Sequence, residues 1–225
     1  MSKLTWDVVG ERTYETGVKK CVLFPLSDAG KYDKGVAWSG ITAITESPSG
    51  ADSNPFYADD IKFLDIRSVE EFGGTIEAYM YPDEFNECNG VSELTKGVTI
   101  GQQKRKVFGL CYRTIIGNDT KGDDYGYKLH FVYGATVSPS ENAYQSVSDS
   151  PEPNTMSWEF STTPVSVEGF KATSHLEVTS LTADATKLAA LEAILYGSEE
   201  KEPRLPLPDE ILTLMKPDTE QDVAG

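Results

Sequence analysis

Histidine, cysteine and positive charge are all scarce in this chain. Its 225 residues include 2 His and 3 Cys, and 20 Lys plus Arg stand against 36 Asp plus Glu, a formal net charge of −16. The shortage of cations argues against a nucleic-acid clamp, whose affinity comes from Lys and Arg displacing counterions from phosphates. It argues equally against binding to an anionic membrane surface. Cys21, Cys88 and Cys111 form no CxxC pair and no cluster with a histidine. An odd count without such spacing fits reduced thiols acting as small buried hydrophobes. No apolar run approaches the roughly 18–20 residues that span a bilayer. The N-terminus lacks a charged segment followed by an apolar one, so the sequence predicts a product that does not leave by the general secretory route.

Chemistry-bearing patterns are equally thin. P-loop, GxGxxG and metal-ligand spacings are missing. His130 and His175 each fall on the polar face of an expected strand, away from any Ser-Gly elbow or recognisable cysteine nucleophile. Glu70-Glu71 and Asp83-Glu84 offer neighbouring carboxylates of the kind used in glycoside hydrolysis. In so acidic a chain such pairs arise by chance, and these suit a strand edge and a helix start. Asp119, Asp123 and Asp124 in GNDTKGDDYG (117–126) resemble a calcium loop without the glutamate at its twelfth position, so a solvated hairpin tip is the better reading. The expected catalytic, cofactor-binding and metal-binding residues are therefore none, and the chain is expected not to be an enzyme.

What the chain has in quantity is alternation. Tyr127, Leu129, Phe131 and Tyr133 oppose Lys128, His130 and Val132; Met156, Trp158 and Phe160 oppose Ser157, Glu159 and Ser161; Ile76, Ala78 and Met80 oppose Thr75, Glu77 and Tyr79. A period of two with one polar face predicts half-buried antiparallel strands. Further strands are expected near 18–24, 36–45, 61–67, 107–116 and 175–181. Residues 82–88 read as a short helix with Pro82 at its start. Residues 182–196 read as a longer one, capped by Thr182 or Asp184, with Leu188, Leu191 and Leu195 on one face and Gly197 at its end. The exposure of Trp38 is not legible. After Gly197 the composition turns to proline and charge. An extended arm at 202–208 is expected, then a short amphipathic turn with Ile211, Leu212 and Leu214, then a disordered tail from Lys216. The domain reading is a β-domain over 1–200 and an arm and acidic tail over 201–225. Between the strands lies a long loop at 46–60, rich in Ser, Pro, Gly, Asp and Asn, that nevertheless carries Phe56 and Tyr57. Long loops of this kind in compact domains are functional or disordered, and two aromatics imply a loop that lies on something.

The ordered succession of blocks resembles the major tail, or tail tube, proteins of long non-contractile-tailed phages. The blocks are YETGV (14–18), GVAWSGITAITESPSGAD (35–52), YADDIKF (57–63), EEFGGTIEAYMYPDEFNEC (70–88), GVTIGQQ (97–103), KVFGLCYRTIIGNDT (106–120), GYKLHFVYGA (126–135), SWEFSTTPV (157–165) and KLAALEAILYG (187–197). The likeness runs from about residue 13 to residue 214. It implies a mostly β fold, a two-sheet antiparallel sandwich or barrel of the tail tube type with a flanking α-helix and extended arms. It implies a structural subunit that forms hexameric rings, which stack into the hollow conduit for DNA ejection. The implied partners are the chain itself and the tape measure, distal tail and tail terminator proteins, with DNA passing through the lumen without specific binding and no membrane. The implied location is the virion tail, and the host cytoplasm before assembly. Acidic residues lining the lumen would repel phosphate, with Glu77 and Glu159 as candidates. The loop at 46–60 would reach the next ring, with Phe56 and Tyr57 as anchors. The reading from a different class is a β-sandwich glycan-binding module of a tail tip, and a third is a carboxylate-pair glycosidase.

Overall fold

A computed structural model describes residues 4–147, 149 and 151–217. Along the chain run β1 (Thr13–Pro25), β2 (Val36–Trp38), β3 (Ile41–Glu46), β4 (Ser49–Gly50), β5 (Ser53–Ala58), β6 (Ile61–Arg67), β7 (Glu70–Glu71) and β8 (Gly73–Ala78). They are followed by α1 (Phe85–Cys88), β9 (Ser92–Thr95), β10 (Val98–Ile100), β11 (Phe108–Asn118), β12 (Gly122–Val137), β13 (Met156–Thr162), β14 (His175–Thr179), α2 (Ala185–Tyr196) and α3 (Pro208–Met215). The main sheet has the order β2-β1-β11-β12-β13-β8-β3, with β14 added on β12. Its pairings are antiparallel. The expected mostly β, antiparallel fold with a flanking helix is the fold observed.

The sheet curls because β12 changes partner along its 16 residues. Lys128 to Val132 pair with β14, whereas Ala135 to Val137 pair with β13. The switch falls at Gly134, whose φ is +63° and where a Cβ would come within 2.1 Å of the Thr163 carbonyl oxygen. Only glycine fits that backbone. At the far end of the order, β3 comes back alongside β1.

Curling encloses one core and leaves a second outside it, and consecutive residues alternate between the two. Leu23, Leu110, Tyr112 and Val132 point inward, where Trp38, Ile76, Phe85, Trp158 and Phe160 meet them. Trp38 is buried, donating its indole N–H to the Met80 carbonyl at 2.8 Å and packing at 4.5 Å between centroids on Phe85. Val22, Phe24, Cys111, Leu129, Phe131 and Tyr133 point the other way, under Leu188, Leu191 and Leu195 of α2. The three thiols are buried and free, and burial pushes those of Cys21 and Cys88 up to about 12.

Several expectations are corrected. The strand expected over 36–45 breaks at Ser39-Gly40 into β2 and β3, with Gly40 at φ +79°. The helix expected over 182–196 starts at Ala185, because Asp184 rather than Thr182 accepts from the Thr186 and Lys187 amides at 2.9 and 3.0 Å. The helix expected over 82–88 shrinks to Phe85–Cys88, since Glu84 makes no side-chain cap. The hairpin tip is shorter than 117–126: the Asn118 side-chain Oδ1 accepts from the Thr120 and Lys121 amides and closes it early. The β9–β10 ribbon was not anticipated. The segment after Gly197 docks on its own domain, with Leu205 and Ile211 buried in the core under α2, and the Arg204 amide donating to the Ile194 carbonyl at 3.0 Å. The expected tail falls outside the described residues from 218 on.

Candidate functional site

The stretch expected as a loop at 46–60 is instead half of a projecting arm. The chain leaves the sheet after Glu46 and returns at Gly73. Ser49 and Gly50 pair with Glu71 and Glu70 to form a stalk. Beyond it β5 and β6 pair from Ser53↔Arg67 to Ala58↔Ile61. Asp59 and Asp60, at φ 50° and 61°, make the two-residue turn whose left-handed geometry matches the twist of hairpin strands. The sequence did carry a signal for this: a two-residue acidic turn between FYA and IKF. The abundance of Ser, Pro, Gly and Asn concealed it, because those residues cost little in a ribbon whose faces are both solvated.

No residue of β5 or β6 is buried. Phe56, Tyr57, Ile61, Phe63 and Ile66 are 51%, 70%, 64%, 69% and 56% exposed. An isolated two-stranded ribbon is marginal in water, and contiguous exposed apolar surface marks an interaction site. The polar contacts are local: Ser53 donates to Asp65 at 2.7 Å and Lys62 pairs with Asp65 at 2.5 Å. Glu70-Glu71 belong to the exposed stalk, and Asp83-Glu84 are exposed residues leading into α1. The sequence pairs thus lie on different, open parts of the surface.

Strands β3, β8 and β13 read ITAITE, GGTIEA and MSWEFST and contain no Lys or Arg. Ile76, Ala78, Trp158 and Phe160 fill the inner core. Alternation therefore turns Glu77 and Glu159 to the opposite face, where Glu159 is exposed and Glu77 half-buried.

Where β3 ends, a cluster gathers that no sequence pattern revealed. Glu46 from β3, His130 from β12 and His175 and Glu177 from β14 each present a ligand-type atom, all within 4.8 Å of one another. His130 does lie on the face opposite Leu129 and Phe131, but that face is enclosed by the curl, so the residue is only 5% exposed. The polar face on which His130 was expected is thus an interior one, while His175 is half-buried. His130 Nδ1 stands 3.3 Å from Glu46 Oε1 and 3.4 Å from Glu177 Oε1, and His175 Nε2 stands 3.3 Å from Glu46 Oε1. Both nitrogens are buried without an aligned hydrogen bond. The other edges are held: His130 Nε2 is 2.9 Å from Thr114 Oγ1, Tyr112 donates its hydroxyl to Glu46, and Lys128 Nζ lies 3.1 Å from Glu177 Oε2. The rings form a column, with Tyr112 stacked on His130 and Phe72 on His175, each at 4.7 Å between centroids. The close approach of His130, then of His175, holds the Glu46 carboxyl well below its ordinary range against the opposing effect of burial. Contact with Glu46 adds to burial in driving the Tyr112 phenol far up.

No known protein-family model matches this chain, and no curated protein matches its sequence.

Proposed function

We propose that the chain is a structural, self-assembling subunit of a phage tail tube, forming stacked hexameric rings around a conduit for DNA. One observation carries the reading: an arm of two strands with no buried residue that displays Phe56, Tyr57, Ile61, Phe63 and Ile66 to solvent. A chain working alone gains nothing from holding such an arm; a neighbouring subunit that covers it does. The antiparallel sheet and its docked helix agree with the block-by-block likeness to tail tube proteins. The cation-free face bearing Glu77 and Glu159 suits a lumen, because carboxylates repel the phosphates of passing DNA. Trp38 and Trp158 lie in the core, so of the tryptophans Trp6 alone, 76% exposed, could offer the stacking platform that a glycan-binding module uses.

Electron microscopy of the concentrated protein tests the reading. Rings or tubes with a central channel are expected. A chain in which residues 52–68 are replaced by a short Gly-Ser link should fold as a subunit and fail to elongate. Tubes of normal length from that chain, or a strict monomer under all conditions with the intact arm, would overturn the proposal.

A further inference from the structure

Both of the chain's 2 histidines lie in the cluster at the end of β3, and its geometry is that of a ligand set. We propose that Glu46, His130, His175 and Glu177 bind one divalent transition-metal ion, each through a single atom, fastening the root of the arm to β12 and β14.

The spacing is the first argument. A tetrahedral ion with bonds of about 2.0–2.1 Å sets its ligand atoms about 3.3–3.4 Å apart. Three of the edges here measure 3.3, 3.4 and 3.3 Å. The second argument is orientation. Metal-binding imidazoles and carboxylates are held from behind by outer hydrogen bonds. Thr114 holds the remote nitrogen of His130, and Lys128 engages Glu177 Oε2 while Oε1 faces the site; Tyr112 donates to Glu46 Oε1, the oxygen that itself faces the histidines, and so fixes its position from the side. The third is unmet demand. His130 Nδ1 and His175 Nε2 are buried and lack an aligned partner, which is costly unless a proton or a metal completes them. Two carboxylates supply the charge that neutralises a divalent ion. The mixture of imidazole and carboxylate suits zinc, cobalt or nickel better than calcium or magnesium, which prefer all-oxygen sites.

The rings add a specific consequence. Those of His130 and His175 lie 22° from parallel with centroids 5.8 Å apart. An ion lying in both ring planes requires His175, the more exposed of the two, to tilt off Phe72.

The test uses the full chain without a tag, at pH 7.5, titrated with zinc and with cobalt(II). One equivalent should bind saturably, and cobalt should give the intense visible absorption of a tetrahedral site. Both imidazoles should shift in the NMR spectrum, and the ring-current shift that Phe72 imposes on His175 should shrink. His175→Asn and Glu177→Gln should each weaken binding by about 100-fold or more, and Thr114→Val by roughly 10-fold. Glu177 is exposed, so Glu177→Gln keeps the test decisive if the histidine variant fails to fold. No saturable binding, equal affinity in the ligand variants, or imidazole signals indifferent to zinc would overturn the proposal. Metal binding is read on the free subunit and on the chain lacking residues 52–68 alike, so its outcome is independent of tube assembly.

Discussion

Two hairpins of the same molecule share an antiparallel ladder and a mixture of apolar and polar residues, and differ in what covers them. In β11–β12 Phe108 to Tyr112 and Leu129 to Ala135 are buried, with one set of side chains in the inner core and the other under α2. In β5–β6 none are. Ladder hydrogen bonds replace bonds to water and contribute little net stability. Burial contributes about 25 cal/mol per Å² of apolar surface. The first hairpin is therefore the protein's structural centre. The second is covered by nothing among the described residues, and in the proposed assembly a neighbouring subunit would cover both its apolar side chains and its strand edges.

The largest effect separating the two belongs to the covered hairpin. Trp158→Ala, which opens the inner core, should cost about 3–5 kcal/mol, and Leu191→Ala, which opens the outer core, about 2–5 kcal/mol. Urea unfolding of the free subunit measures both. Equal, small losses at these sites would show that β11–β12 is not sandwiched between two cores. A smaller effect comes from the lid itself. Asp184→Ala removes the acceptor for two amides at the start of α2 and should cost about 1 kcal/mol, with Asp184→Asn restoring most of it.

How much of this was legible in the sequence follows the same division. Alternation identified β8, β12 and β13 and the two sides of each, but it carried β8 too far: the strand ends at Ala78, and Met80, expected on the apolar face, is exposed. For His130 it correctly indicated the side opposite Phe131, but a period of two says nothing about what lies on that side, and the curl at Gly134 converts a polar face into an interior one. The cap and apolar face of α2 were readable because both are local. The arm was misread because composition was weighed above the two-residue turn at Asp59-Asp60. The histidine–carboxylate cluster could not be read from spacing, since its members lie on β3, β12 and β14 and meet only through sheet topology.

Acid tests the fastening of the C-terminal segment that extends the covered core. Arg204 Nη1 donates to Glu210 Oε2 at 2.7 Å, and this pairing holds the Glu210 carboxyl below its ordinary range. A carboxyl depressed in the folded state stabilises it above the unfolded value, near 4.3. That contribution is lost as pH falls through the depressed folded value. Both side chains are more than a third exposed, at 41% and 44%, so solvent screening limits the effect to under about 1 kcal/mol. The native chain should be slightly more stable than Glu210→Gln at pH 6, and the gap should close toward pH 3. A gap that is constant across this range would assign it to packing of α3 instead of charge.

The smallest effect on the free subunit is expected in the uncovered hairpin, and there the comparison is sharpest. Phe63→Ser and Ile66→Ser remove apolar side chains that are 69% and 56% exposed, and exposed substitutions of this kind change stability by no more than about 0.5 kcal/mol. The free subunit should therefore unfold in urea as the native chain does, while assembly, followed by sedimentation and electron microscopy, should fail. Hydrogen exchange locates the cause: amides of β5 and β6 should exchange fast in the free subunit, where nothing covers them, and slowly once neighbours do. Slow exchange already in the free subunit would mean that the arm holds itself together. The contrast between the two hairpins would then lie in length and curvature, and the arm's exposed aromatics would need a purpose other than assembly.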